Sequence, residues 1–139
     1  MIDIGKAATG QFCWVDLAAT DADSAKAFYG RLLGWSSAEL SVNGGSFTRL
    51  QLLGQDVGSL YQMRQAHVAD GVPSHWTPYI RINDVDTIAR RAGSLGGKVL
   101  VQPFEVEGVA RIALILDSVG AHVGLWEPLL GAKEQEAHG

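Results

Sequence analysis

A chain of 139 residues gives one ordinary domain, or two small modules that share a core. The net charge of −4, with no run of Lys or Arg, argues against nucleic acid or an anionic membrane as the main partner. No stretch approaches the roughly 18 apolar residues of a membrane span, and a lone cysteine, Cys13, rules out an intramolecular disulfide.

Residues 1–9 read as a loosely held lead-in without an apolar signal core, so the expected location is the cytoplasm, where a one-cysteine chain stays reduced. Gln11–Ala18 is apolar, rich in β-favouring residues and of strand length. Cys13, in mid-strand, is expected to be a small core residue. Thr20 offers an N-cap, with Asp23 three residues on. Ala25, Phe28, Tyr29, Leu32 and Leu33 then form one apolar stripe, which predicts a helix over Asp21–Leu33 whose stripe lies on a sheet. Gly34 supplies its left-handed C-cap.

Three strands are expected next, over Trp35–Glu39, Ser46–Leu52 and Asp56–Tyr61. Turns at Asn43-Gly44-Gly45 and at Gly54 make them antiparallel neighbours. Residues 63–74 lack a period and serve as a linker, with room for a short helical turn. His75–Ile82 is a strand whose Pro78 cannot donate to a ladder and therefore belongs at an edge or bulge. Asn83 or Asp84 caps a second long helix with the stripe Val85, Ile88, Ala89, Ala92 and Leu95, stopped by Gly96 and Gly97. Strands fit Lys98–Val101, Phe104–Glu107, Arg111–Leu116 and Ala121–Trp126, and residues 131–139 form a polar tail.

Both halves thus spell strand, helix and further strands, and the helix ends Leu32-Leu33-Gly34 and Ser94-Leu95-Gly96 mark the repeat. Module one spans about 10–62 and module two about 75–130. The carriers Asp23…Ala27-Phe28-Tyr29…Leu33-Gly34-Trp35, Asn83-Asp84-Val85-Asp86…Leu95-Gly96-Gly97 and Asp117…Gly120…Gly124-Leu125-Trp126 make the chain resemble the vicinal oxygen chelate superfamily of glyoxalases, bleomycin-resistance proteins and extradiol dioxygenases. The resemblance implies an α+β fold. Two paired β-α-β-β-β modules would form a curved mixed sheet around a central cavity, with the helices on the outer face.

The resemblance also implies where a divalent ion would be held, on one residue from each of four strands. Counting from the helix motifs places those positions at Trp14, Gly58, Thr77 and Gly124. Glycine and tryptophan donate nothing to a divalent ion, and a tetrahedral or open catalytic site needs three or more donors. No metal and no cofactor is therefore expected. Strand alternation puts Phe12, Trp14 and Asp16 on the cavity side. It adds His75, Thr77, Tyr79 and Arg81 from the fifth strand, His122 and Trp126 from the last, and Asp56, Gly58 and Leu60 from the fourth. Cys13, Val15, Leu17, Trp76, Ile80, Ile82, Val123 and Leu125 face the helices. The glycines are expected to open space.

Aromatic bodies with a few convergent polar groups are the common lining of a small-molecule site. The expected function is that of a glyoxalase- or bleomycin-resistance-like homodimer binding a small, partly aromatic or apolar molecule through Phe12, Trp14, Asp16, His75, Thr77, Tyr79, Arg81, His122 and Trp126. The alternatives are a divalent-metal-dependent lyase, isomerase or dioxygenase with divergent ligands, and a metal-independent enzyme using Asp16 or His75.

Overall fold

The computed structural model describes residues 7–42 and 45–129. Residues 1–6, the Asn43-Gly44 pair and the polar tail lie outside the described residues. In chain order the elements are β1 (Phe12–Ala19), α1 (Ala22–Leu33), β2 (Ser36–Val42), β3 (Gly45–Leu52), β4 (Gln55–Gln62), α2 (Gln65–Ala69), β5 (His75–Arg81), α3 (Val85–Ser94), β6 (Lys98–Val106), β7 (Ala110–Leu116) and β8 (His122–Pro128). The repeated strand–helix–three-strand plan read from the sequence is present, and the linker carries the short helical turn as α2.

The described residues form two compact units, one from within residues 15–77 and the other from residues 7–14 together with 78–129. In the first unit the strand order is β2-β3-β4-β1, with β1 parallel to β4 and the other pairs antiparallel. In the second it is β5-β8-β7-β6, with β5 parallel to β8 and the other pairs antiparallel.

Helix α1 starts one residue later than its capping pattern suggests. Asp21, not Thr20, is the N-cap, its carboxylate accepting from Ser24 N–H at 3.0 Å. The Thr20 hydroxyl is engaged with that of Ser74 at 3.1 Å, which leaves the carboxylate to satisfy the open helix end. The helix ends as expected on Gly34, at φ 76°, a conformation that costs a residue with a Cβ. The stripe is only half used. Ala25 and Tyr29 pack on Leu17, Ala19, Leu50 and Leu60 with Trp35 and Trp76, while Phe28, Leu32 and Leu33 are 57%, 62% and 47% exposed. One helix resting on one sheet buries a narrow line of side chains, and these three flank it.

In the second unit Asp84 settles the open choice of cap, accepting from Thr87 N–H at 3.1 Å. Val85 and Ala89 of α3 pack on Ile82, Ala113 and Leu125, with Ile80 and Ile88 beside them. The two stretches expected as separate strands, Lys98–Val101 and Phe104–Glu107, are one strand, β6. Its ladder to β7 slips between Val99 and Val101 and again between Val101 and Phe104, around Pro103, which has no N–H to donate.

Candidate functional site

Within the first unit, β1 and β4 run parallel with Asp16 opposite Ser59. The Ser59 hydroxyl donates to Asp16 Oδ1 at 2.7 Å, and both residues are buried. His75 on β5 is close enough for its charge to act on the carboxylate, and Tyr61 on β4 close enough to feel the carboxylate in return. Burial pushes the Asp16 carboxyl up to about 6, overriding the Ser59 hydrogen bond and the His75 charge, both of which pull it down. Burial likewise raises the Tyr61 hydroxyl, and the Asp16 charge raises it further, so it stays a protonated donor. The His75 ring is oriented by Nδ1, which lies 2.9 Å from the carbonyl oxygen of Pro73; a carbonyl only accepts, so this nitrogen carries the proton. Thr77 is buried.

The pairing of Ser59 with Asp16 corrects the expected facing of β4. Leu50 pairs with Gly58 and Gln51 with Asp56, so Val57 is an extra residue in the strand. An extra residue breaks period-two alternation. Gly58 and Leu60 therefore lie on the helix side, where Leu60 packs with Leu17 and Tyr29, and Ser59 and Tyr61 come onto the Asp16 side. Sequence reasoning missed both hydroxyls for this reason; the Leu53-Gly54 turn before β4 was legible, the bulge after it was not.

Within the second unit, Trp14, Tyr79 and Trp126 come together with Cys13, Ala110 and Ile112. The Trp14 and Trp126 rings lie 5.9 Å apart and tilted by 39°, and Tyr79 meets Trp126 edge-on at 5.8 Å. Such offset and edge-on pairs gain from ring quadrupoles beyond area burial. Cys13 is fully buried here, the small core residue expected. Phe12 shares the strand parity of Trp14 and is 57% exposed. Arg81 donates from Nη1 to the Ala7 carbonyl at 2.9 Å, and His122 is exposed on β8 opposite Leu116.

Neither glycine opens space. Gly124 is the register partner of Tyr79, and a Cβ there would fall inside the tyrosine ring. A Cβ on Gly58 would come within 2.9 Å of the Val15 carbonyl oxygen, so this glycine lets β4 approach β1 closely. Of the four positions at which the resemblance would place metal ligands, then, one is a buried indole tilted against Trp126, one a glycine covered by a ring, one a glycine on the helix side, and one the buried Thr77. Among the described residues no three His, Cys, Asp or Glu side chains gather as an ion would require. The residues do not fit a divalent ion. Nor is any helix among the described residues long and apolar enough to cross a membrane.

No family model matches the chain. It is 35% identical over 116 residues to CFP32 of Mycobacterium tuberculosis, a protein named as a glyoxylase, covering 82% of this chain and 44% of that one. It is 29% identical over 130 residues to the anthracycline biosynthesis protein DauV of a Streptomyces species, covering 86% of this chain and 47% of that one. The chain thus spans about half the length of these relatives. Among solved structures, methylmalonyl-CoA epimerase of Mycobacterium tuberculosis superposes with a TM-score of 0.60 over 94% of this chain and 95% of the other, at 20% identity. A methylmalonyl-CoA epimerase in complex with methylmalonyl-CoA gives 0.61 over 88% and 97%, at 18% identity. The chain has the vicinal oxygen chelate fold. On that fold the helices and turns are where the sequence motifs put them.

Proposed function

We propose that the chain is a glyoxalase-like protein that binds a small, partly aromatic or apolar molecule without a divalent ion. The observation that carries this reading is the aromatic set of the second unit, in which Trp14 takes the place of a ligand side chain and stands against Trp126 and Tyr79. The set continues along the strand to Phe12, which leaves an exposed ring for a flat molecule to stack on. The names of the relatives, a glyoxylase and an anthracycline biosynthesis protein, agree with a small-molecule ligand, as does the methylmalonyl-CoA bound to a structural neighbour. We propose also that the working form is a homodimer, in which a second copy covers Phe28, Leu32 and Leu33 of α1.

Titration of tryptophan fluorescence with anthraquinone-2-sulfonate and 1,4-naphthoquinone tests the binding reading. Saturable quenching that EDTA leaves unchanged and that Phe12→Ala weakens is the expected result. A stoichiometric Zn²⁺ or Mn²⁺ bound by side chains and required for quenching would overturn it in favour of a metal-dependent lyase, isomerase or dioxygenase. Sedimentation velocity tests the dimer: a monomer at all concentrations, or a dimer indifferent to Leu32→Lys, sinks the α1 interface.

A further inference from the structure

Arg81 is the last residue of β5 and the register partner of Trp126 on β8, so its side chain leaves the sheet on the face that carries Tyr79 and Trp126. There its Nη1 donates to a neutral acceptor, the Ala7 carbonyl, at 2.9 Å. Ala7 in turn packs on the cluster of Trp14, Tyr79, Ile112 and Trp126. Residues 7–11 form a hook that brings it there. Gln11 N–H donates to the Ala8 carbonyl at 3.0 Å, and the Gln11 side chain accepts from Ala8 N–H at 2.7 Å. Gly10 takes the left-handed φ of 90° that this turn needs. Gly10 N–H donates to the Arg81 carbonyl at 2.7 Å, and Arg81 N–H donates to that of Gln11 at 2.9 Å. The base of the hook is thus tied to β5 by backbone, one residue from the exposed ring of Phe12, while its tip is held by the guanidinium and by packing.

We infer that Arg81 is the anion anchor of the aromatic site, and that the Ala7 carbonyl holds the place of an acidic group on the ligand. The inference rests on the ligand-binding reading above and narrows its ligand class to flat aromatic anions, carboxylates or sulfonates. A carbonyl oxygen carries only a partial charge. A carboxylate offers two charged acceptors that match the planar guanidinium fork, with bonds roughly twice as strong as neutral ones. Ala7 buries no more than one methyl group, so its release forfeits little. On binding, the acid displaces the Ala7 carbonyl from Nη1, and Ala7 and Ala8 swing off the cluster while Gly10 stays tied to β5. The same movement uncovers ring surface for the ligand, so charge recognition and access to the aromatics are one event.

Isothermal titration calorimetry with 2-naphthoate and 2-naphthamide at neutral pH tests this, because the two differ in charge and hardly in shape. Naphthoate is expected to bind about tenfold more tightly. Arg81→Gln should remove that preference and Arg81→Lys should retain part of it, with circular dichroism reporting the fold of both. Amide exchange followed by NMR gives a second readout: saturating naphthoate should speed exchange at Ala8 and leave Gly10 protected. Equal affinity for the two compounds, a preference that survives in folded Arg81→Gln, or Ala8 exchange unchanged at saturation would each overturn the inference and leave the binding reading standing. Binding of neither compound would overturn both.

Discussion

The Ser59 hydroxyl and the Asp16 carboxylate lie 2.7 Å apart as register partners across parallel strands, and that single contact loses to the burial around it. A hydrogen bond to an ionised acceptor is worth about 1.5–3 kcal/mol, and the nearby His75 also favours the anion. The carboxyl nevertheless titrates at about 6 rather than 3.8. The pair is therefore a site where the fold holds a charge against its preference, as functional groups often are held.

Stability should fall as pH rises through this window. The folded-state value is the higher one, so between about 4 and 6 the native state binds more protons than the unfolded chain, and the slope of unfolding free energy against pH is negative. The rise from 3.8 to about 6 corresponds to about 3 kcal/mol. Asp16→Asn removes that cost while its amide oxygen still accepts from Ser59. It should be more stable than wild type by up to about 3 kcal/mol at pH 7.5 and nearly equal to it at pH 4. Urea denaturation at the two pH values checks this, and a variant less stable than wild type at pH 7.5 would contradict it.

Ser59→Ala should act in the opposite sense. Without the hydroxyl, only burial and the His75 charge act on the carboxyl, and its pKa should rise further, a shift that ¹³C NMR of labelled aspartate reads directly. Stability should drop by about 1.5–3 kcal/mol at pH 7.5, and by less at pH 4, where the partner is neutral. An unmoved Asp16 titration would show that the hydroxyl does not tune it.

How far the sequence could be read follows the same physics. Turns and helix ends depend on a few adjacent residues, so Gly34 and the repeat of strand, helix and strands were legible, while the N-caps were read only to within one residue: Asn83 or Asp84 for Asp84, and Thr20 for Asp21. The faces of β1, β5 and β8 were legible because apolar and mixed residues alternate along them; Leu17 and Trp76 lie under α1, and Ile80, Ile82 and Leu125 under α3. The face of β4 was not. Val57, Gly58, Leu60 and Tyr61 carry no alternation that reveals an extra residue, and the bulge depends on pairing with β3. For the same reason the role of the glycines was hidden, since a missing Cβ reads alike whether it opens a space or admits a ring.

Gly124 makes that last point measurable. Any Cβ there meets the Tyr79 ring, which β5 cannot move without breaking its ladder to β8. Gly124→Ala should cost about 1–3 kcal/mol through overpacking. Combining it with Tyr79→Leu should recover part of the loss, giving a favourable coupling in a double-mutant cycle. If the two costs simply add in thermal and urea denaturation, the ring does not occupy the space above the glycine.

Trp14 carries the last prediction. Its indole is 6% exposed, packed in one cluster with Trp126, Tyr79 and Ile112. Trp14→Ala removes a large buried ring, and the site can refill little of the volume, so a loss of about 3–5 kcal/mol is expected. The contact with Trp126 at 5.9 Å should contribute about 0.5–1.5 kcal/mol of that loss as pairwise coupling. Trp14→His tests whether the indole merely occupies a metal position. The imidazole would face Trp126, Tyr79 and a glycine, none of which can complete a coordination sphere. Equilibrium dialysis should therefore find no stoichiometric Zn²⁺ or Ni²⁺ on this variant, while its quenching by anthraquinone-2-sulfonate weakens with the loss of the indole. Tight binding of one ion by Trp14→His would mean that the neighbouring strands keep a latent ligand set, and that a single substitution separates this chain from a metal-dependent relative.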